Sequence, residues 1–193
     1  MKKLYLDTET TGIDPDKHSI YQVGAIVEID GRIEERVNMN IRPWEGSLIS
    51  VGAVPRNMST IDGFRLWLKE QPASIDQFKK FMRILQYYVN RYDKRDKFWF
   101  IAYNAQFDDK FMRAWFEKHN EKYYGSYFWW PPIDVAVLAA HHLQDERPAM
   151  ENFQLETVAT KLGVRTEGEA HDATVDIEWT RNIYLKVTNG RTS

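Results

Sequence analysis

The chain opens on three apolar runs of strand length. Leu4-Tyr5-Leu6 stops abruptly at Asp7-Thr8-Glu9-Thr10-Thr11-Gly12, the mark of a strand that delivers polar side chains at its end. Ile20 to Ile29 are β-branched and apolar, and Asp30-Gly31 separates them from a second arm at about Ile33 to Ile41. Asp-Gly between two such runs predicts a type I′ hairpin, because both turn residues need positive φ. Residues 43–73 are punctuated by Pro43, Gly46, Gly52, Pro55, Gly63 and Pro72, with a short helical stretch around Phe64–Lys69. That is long for a plain connector and fits a surface loop near a site.

From Ser74 the period changes. Ser74 and Gln77 form a capping-box pattern, and Phe78, Phe81, Met82, Leu85, Val89 and Tyr92 follow at helical spacing. A charged turn, 93–97, leads to Phe98-Trp99-Phe100-Ile101-Ala102, a buried strand that again ends in polar residues, Asn104 and Asp108. A helix through Phe111, Ala114 and Trp115 comes next, then an aromatic loop from Tyr123 to Pro132. Helices are predicted over 134–143, 152–162 and Ala170–Val187. Strands first, then strands alternating with helices, indicate an α/β fold of two or three layers on a mixed sheet. No repeat, low-complexity tract or linker divides the 193 residues, so a single domain over 1–193 is expected.

Composition narrows the chemistry. With no cysteine, disulfides, thiolate zinc sites, iron–sulfur clusters and cysteine nucleophiles are excluded. Lys and Arg number 26 against 28 Asp and Glu, a net charge of −2, which argues against a broad, sequence-independent coat on DNA. No segment approaches the roughly 20 apolar residues of a membrane span, and Met1-Lys2-Lys3 is followed by no signal-peptide core. A soluble, cytoplasmic protein without a membrane partner is the expectation.

Asp7 and Glu9 stand two apart on a strand end and so point to one side. Asp108 follows a buried strand, and Asp172 and Asp176 lie four apart on the last helix, behind His171. Hard divalent cations take oxygen ligands, and two held about 4 Å apart can activate water and stabilise the leaving oxygen of a phosphodiester. Carboxylates crowded without a cation would repel. Each segment alone also fits an ordinary turn or helix cap, and periodicity does not prove that the three converge.

Taken together, Asp7-Thr8-Glu9-Thr10-Thr11-Gly12, Asn104-Ala105-Gln106-Phe107-Asp108 and His171-Asp172-Ala173-Thr174-Val175-Asp176 resemble the three motifs of the DEDDh, or DnaQ-like, 3′→5′ exonucleases, in order and across residues 7–176. The resemblance is to the group of the bacterial polymerase proofreading subunit, ribonuclease T and oligoribonuclease. It implies a ribonuclease H-like fold with a five-stranded mixed sheet flanked by helices. It also implies two divalent metal ions, Mg²⁺ or Mn²⁺, on Asp7, Glu9, Asp108 and Asp176. His171 would be the general base, with Glu9 in a catalytic as well as a ligand role, and Thr10, Thr11, Gly12, Ile13, Asn104 and Phe107 would meet the substrate. The substrate implied is a single-stranded 3′ end, DNA ahead of RNA, with replication or repair proteins as partners. An RNA-trimming enzyme and a noncatalytic binding or polymerase-partner module are the alternatives. Where the family usually has an acid before a Gly-Ala pair, this chain has Gln22, in Tyr21-Gln22-Val23-Gly24-Ala25.

Other features have plainer readings. The aromatic cluster 123–132 fits core packing better than base stacking. His141 and His142, adjacent on a helix, do not face together as zinc ligands would. Arg91 to Lys97 reads as a solvated turn, and Lys186–Arg191 as a possible phosphate contact. Setting aside the four predicted ligands leaves 26 basic and 24 acidic residues, so near-neutrality still admits an enzyme that grips only a few nucleotides.

Overall fold

A computed structural model describes residues 1–166 and 173–189. Five strands form one sheet: β1 (Lys2–Thr10), β2 (Ile20–Ile29), β3 (Arg32–Asn40), β4 (Trp99–Ala102) and β5 (Ile133–Asp134), in the order β3-β2-β1-β4-β5. β1 pairs antiparallel with β2 and parallel with β4, so the sheet is mixed, as expected. The Asp30-Gly31 turn has φ of 50° and 85°, the left-handed pair that the β2–β3 hairpin requires.

Seven helices are described: α1 (Ile61–Glu70), α2 (Ser74–Tyr88), α3 (Ala105–Lys118), α4 (Tyr124–Tyr127), α5 (Val135–His142), α6 (Leu155–Lys161) and α7 (Ala173–Asn189). Alternation along β1 sorts the core into two layers. Leu4 and Leu6 face α2 and α3, where Phe78, Phe81, Phe111 and Phe116 close over them. Tyr5 faces the other way, into a layer with Ala139 of α5, Val158 of α6 and Ile177, Trp179 and Ile183 of α7. A smaller cluster of Tyr21, Phe64 and Leu68 holds α1 against β2. No helix among the described residues is long and apolar enough to cross a membrane.

Several boundaries differ from the sequence reading. β1 continues to Thr10, because Thr8 and Thr10 are buried with partners: Thr8 on Asp108, and Thr10 Oγ1 on the Gly12 carbonyl at 2.6 Å. α1 begins at Ile61 because Thr60 caps it, accepting from the Gly63 amide at 3.0 Å. Ser74 is not a cap. Ala73 holds that position, and the Ser74 hydroxyl accepts from Trp115 Nε1 at 2.8 Å and meets His119 Nε2 at 2.9 Å, stapling α2 to α3. α2 ends at Tyr88, which leaves Tyr92 outside it. Asp134 closes β5 and caps α5, and α6 starts at Leu155, later than periodicity indicates. The aromatic cluster divides, with Tyr124, Tyr127 and Phe128 in the core and Tyr123 and Trp130 outside.

Candidate active site

Asp7 and Glu9 leave the β1 face that α7 covers, and both are half-buried. Opposite Asp7 stands Gly24 on β2. A Cβ there would sit 2.3 Å from the Ala173 carbonyl oxygen, so only glycine lets the first turn of α7 rest directly on the sheet. Asp176 is buried in that first turn. Asp7, Glu9 and Asp176 each offer an oxygen, and the three oxygens lie within 4.8 Å of one another. Three carboxylates this close repel unless a cation lies among them, and an all-oxygen donor set suits a hard divalent ion.

α7 is also held by charge. Glu28, 1% exposed on the same face of β2, accepts from Lys3 Nζ at 2.9 Å and from Arg181 Nε at 2.9 Å. Burial pushes the Glu28 carboxyl up, but Lys3 and Arg181 outweigh it and hold the group below its ordinary range. Arg36 adds a pair with Glu178 at 2.8 Å.

Asp108 lies beside the carboxylate group but is not one of the three. Its Oδ1 accepts from the Thr8 amide at 2.9 Å and the Thr8 hydroxyl at 2.7 Å. β1 runs on beyond its last pairing with β4, at Tyr5–Ile101, so the Thr8 amide needs a partner from outside the sheet. Burial pushes the Asp108 carboxyl up to about 7, against those two hydrogen bonds; a nearby cation would pull it back down. Asn104, at φ 62° and ψ 50°, makes the tight turn that swings α3 into place, and Asn tolerates that left-handed conformation. Its amide and that of Ala105 donate to Asp134 at 3.2 and 3.1 Å.

A groove of about 600 Å³ opens from Glu9, lined by Thr10, Gly12, Ile13, Tyr21, Phe107, Ser50 and residues 52–56. Ile13 projects from its wall, 84% exposed. Of the expected substrate contacts, Thr10, Gly12, Ile13 and Phe107 therefore line the groove. Thr11 and Asn104 do not: Thr11 is fully buried, its hydroxyl accepting from the Ser19 amide at 2.9 Å. Gly12 also has a packing task. A Cβ would stand 2.2 Å from the His18 ring, so the missing side chain makes room for His18. His18 Nε2 in turn meets Ser50 Oγ at 3.1 Å, and the Ser50 amide donates to the Thr11 carbonyl at 2.8 Å, tying both walls together. His171 lies outside the described residues.

Sequence reasoning missed Tyr21, Ser50, Arg56, Gly24 and Asp134. Tyr21 reaches Glu9 Oε2 at 3.4 Å, and Arg56 brings a cation to the groove. Asp134, directly before the apolar run from Val135, carried a readable helix-cap signal. Gln22, at the family's usual acidic position, bonds Asn38 at 3.1 Å and stays out of the carboxylate group.

Residues 4–184 match the RNase_T family model, described as exonuclease. The chain is 29% identical over 182 residues to the PolC-type DNA polymerase III of Thermotoga petrophila, covering 94% of this chain and 11% of that protein. It is 25% identical to the DNA polymerase III subunit epsilon of Pasteurella multocida, covering all of this chain and 70% of the relative. A zinc-bound E. coli exonuclease I–single-stranded DNA complex superposes at TM-score 0.74, with 21% identity over 99% of this chain and 41% of that one. The chain thus spans about a tenth of the polymerase and less than half of exonuclease I.

Proposed function

This chain belongs to the exonuclease family, and from that premise we propose that residues 1–193 act as one metal-dependent 3′→5′ exonuclease domain on single-stranded ends, DNA before RNA, releasing nucleoside monophosphates. The observation that carries the proposal is the convergence of Asp7, Glu9 and Asp176 at the mouth of an open groove. A noncatalytic module would have no use for that convergence.

In this reading Asp7, Glu9 and Asp176 hold divalent cations, Mg²⁺ or Mn²⁺, with Asp108 completing the set from beside Thr8. When bound, two such ions supply water activation and stabilisation of the leaving oxygen. Ile13 and Phe107 bracket the terminal nucleotide, Arg56 offers charge to a phosphate, and Thr10 and Gly12 shape the floor. His171 accepts the proton of the attacking water, a role suited to an imidazole near neutral pH. The curated relatives are replicative polymerase components, which supports a replication or repair setting.

Incubating 5′-labelled single strands of DNA and RNA with Mg²⁺ should give a ladder that shortens from the 3′ end, faster on DNA. A chelator should stop it and Mn²⁺ restore it. Asp7→Asn should remove it. A ladder that survives Asp7→Asn, or no ladder on either strand, overturns the proposal. Faster trimming of RNA would move the assignment to an exoribonuclease of the same chemistry.

A further inference from the structure

Outside the groove, one edge of the molecule carries exposed rings interleaved with cations. Three aromatic side chains stand open there: Tyr92, Tyr123 and Trp130, exposed by 82, 58 and 72%. Arg91 lies over the Tyr92 and Tyr123 rings at 5.0 and 5.2 Å, joining the 91–97 turn to the aromatic segment. Arg113 lies over Tyr124 and Trp130 at 4.3 and 5.6 Å, and Lys97 over Trp129 at 5.4 Å. Each of these three cations is attracted by the negative face of the ring below it, which orders both partners. The platform is held in shape from below. Arg113 Nε donates to Asp109 Oδ2 at 2.7 Å, and Tyr124 donates its hydroxyl proton to Asp109 Oδ1 at 2.8 Å.

Charge on this edge favours an anion. Arg91, Lys94, Arg95, Lys97 and Lys122 face Asp93, Asp96 and Glu121, and Asp96 is already paired with Lys2. In the sheet this edge lies where Lys3 pairs with Trp99 and Phe98 bridges Phe128, at the opposite end of β1 from Asp7 and Glu9, so only a strand of several nucleotides reaches both it and the groove.

We propose that this Trp130–Tyr123–Arg91 edge is a second binding tract for single-stranded nucleic acid, engaging nucleotides on the 5′ side of the end held in the groove. The proposal rests on the exonuclease reading for the strand's direction. Bases stack on the open rings, while Arg91, Arg113 and Lys97 meet the backbone phosphates, the combination that binds single strands without sequence preference.

The test uses the full chain in EDTA, so that nothing is cut, with 5′-fluorescein oligo-dT of about 16 and about 4 nucleotides. The longer strand should bind tighter. Trp130→Ala with Tyr123→Ala should weaken it about tenfold and leave the shorter strand unchanged. Arg91→Gln, whose side chain also reaches Tyr127, should give a smaller loss of the same kind, with an unchanged melt showing that the core is intact. With Mg²⁺, the double variant should raise KM on long strands and keep kcat. Equal affinity of the wild type for both lengths, or equal loss on both, overturns the tract. So does self-association through this edge that the variants abolish without any change in oligonucleotide affinity. If no strand is cut but the length-dependent loss appears, the tract stands and the exonuclease reading fails.

Discussion

On one side of the groove, α7 rests on bare backbone at Gly24 and is clamped by Glu28 between Lys3 and Arg181. On the other side, residues 47–56 are anchored more lightly, with Ile49 and Val54 half-buried against the small Tyr21, Phe64 and Leu68 cluster. They are held by the Ser50 amide on Thr11, by Ser50 Oγ on the His18 ring, and by the Leu48 amide on Lys17. The first side carries a proposed metal ligand and the second the proposed nucleotide wall. Ligands must keep their separation to a fraction of an ångström, whereas a wall that admits and releases a strand must yield. The burial and charge of each side match that division of labour.

Breaking the rigid side should have the largest effect. Gly24→Ala forces its new methyl against the Ala173 carbonyl, so α7 must move and Asp176 with it. A misplacement near 1 Å can cost about 10²-fold in rate, and that loss is the expected one. Calorimetry should show weakened Mn²⁺ binding while the melt stays cooperative; unchanged Mn²⁺ affinity would mean that Gly24 does not set the ligand's position.

Glu28→Gln comes next. It strands two half-buried cations, and denaturant unfolding at pH 7 should show a loss of about 2–4 kcal/mol, below the full cost of a deeply buried pair. The sign with pH follows from the depressed carboxyl. Its stabilisation is complete above the ordinary Glu value of about 4.3 and fades as pH falls through the lower folded value. Wild type and variant should therefore converge in acid, and a gap as wide at pH 3 as at pH 7 would point away from the ion pairs.

The compliant side should respond least. His18→Ala unties Ser50 and opens space under Gly12, so KM for single strands should rise about threefold with kcat nearly kept, since one such hydrogen bond is worth ~1 kcal/mol. An equal fall in kcat would show that the wall also positions the reacting end.

Legibility in the sequence follows the same line. The Asp30-Gly31 hairpin, the helices over Phe111 and Leu155, and the meeting of Asp7 and Glu9 with Asp176 could be read from local chemistry, with the family motifs supplying the long-range step. What escaped depended on contacts between distant segments. Ser74 looks like a cap until Trp115 and His119, on another helix, claim its hydroxyl. Gly12 and Gly24 look alike in sequence, yet one makes room for an imidazole and the other for a helix. Asp108 reads as a ligand equal to the others, whereas its nearest duty is to a strand amide left over where β4 ends. The aromatic run 123–132 could not be divided into core and edge without knowing which face α3 covers.

Asp7 and Asp176 lie 169 residues apart in the sequence, and the proposed centre needs both. At synthesis rates of roughly 5–20 residues per second, the growing chain carries Asp7 and Glu9 for about ten to thirty seconds before Asp176 is made. Through that interval β1 can pair with β2 and β2 with β3, but the proposed centre stays incomplete. On the exonuclease reading, a chain still short of Asp176 has no complete centre with which to cut a strand.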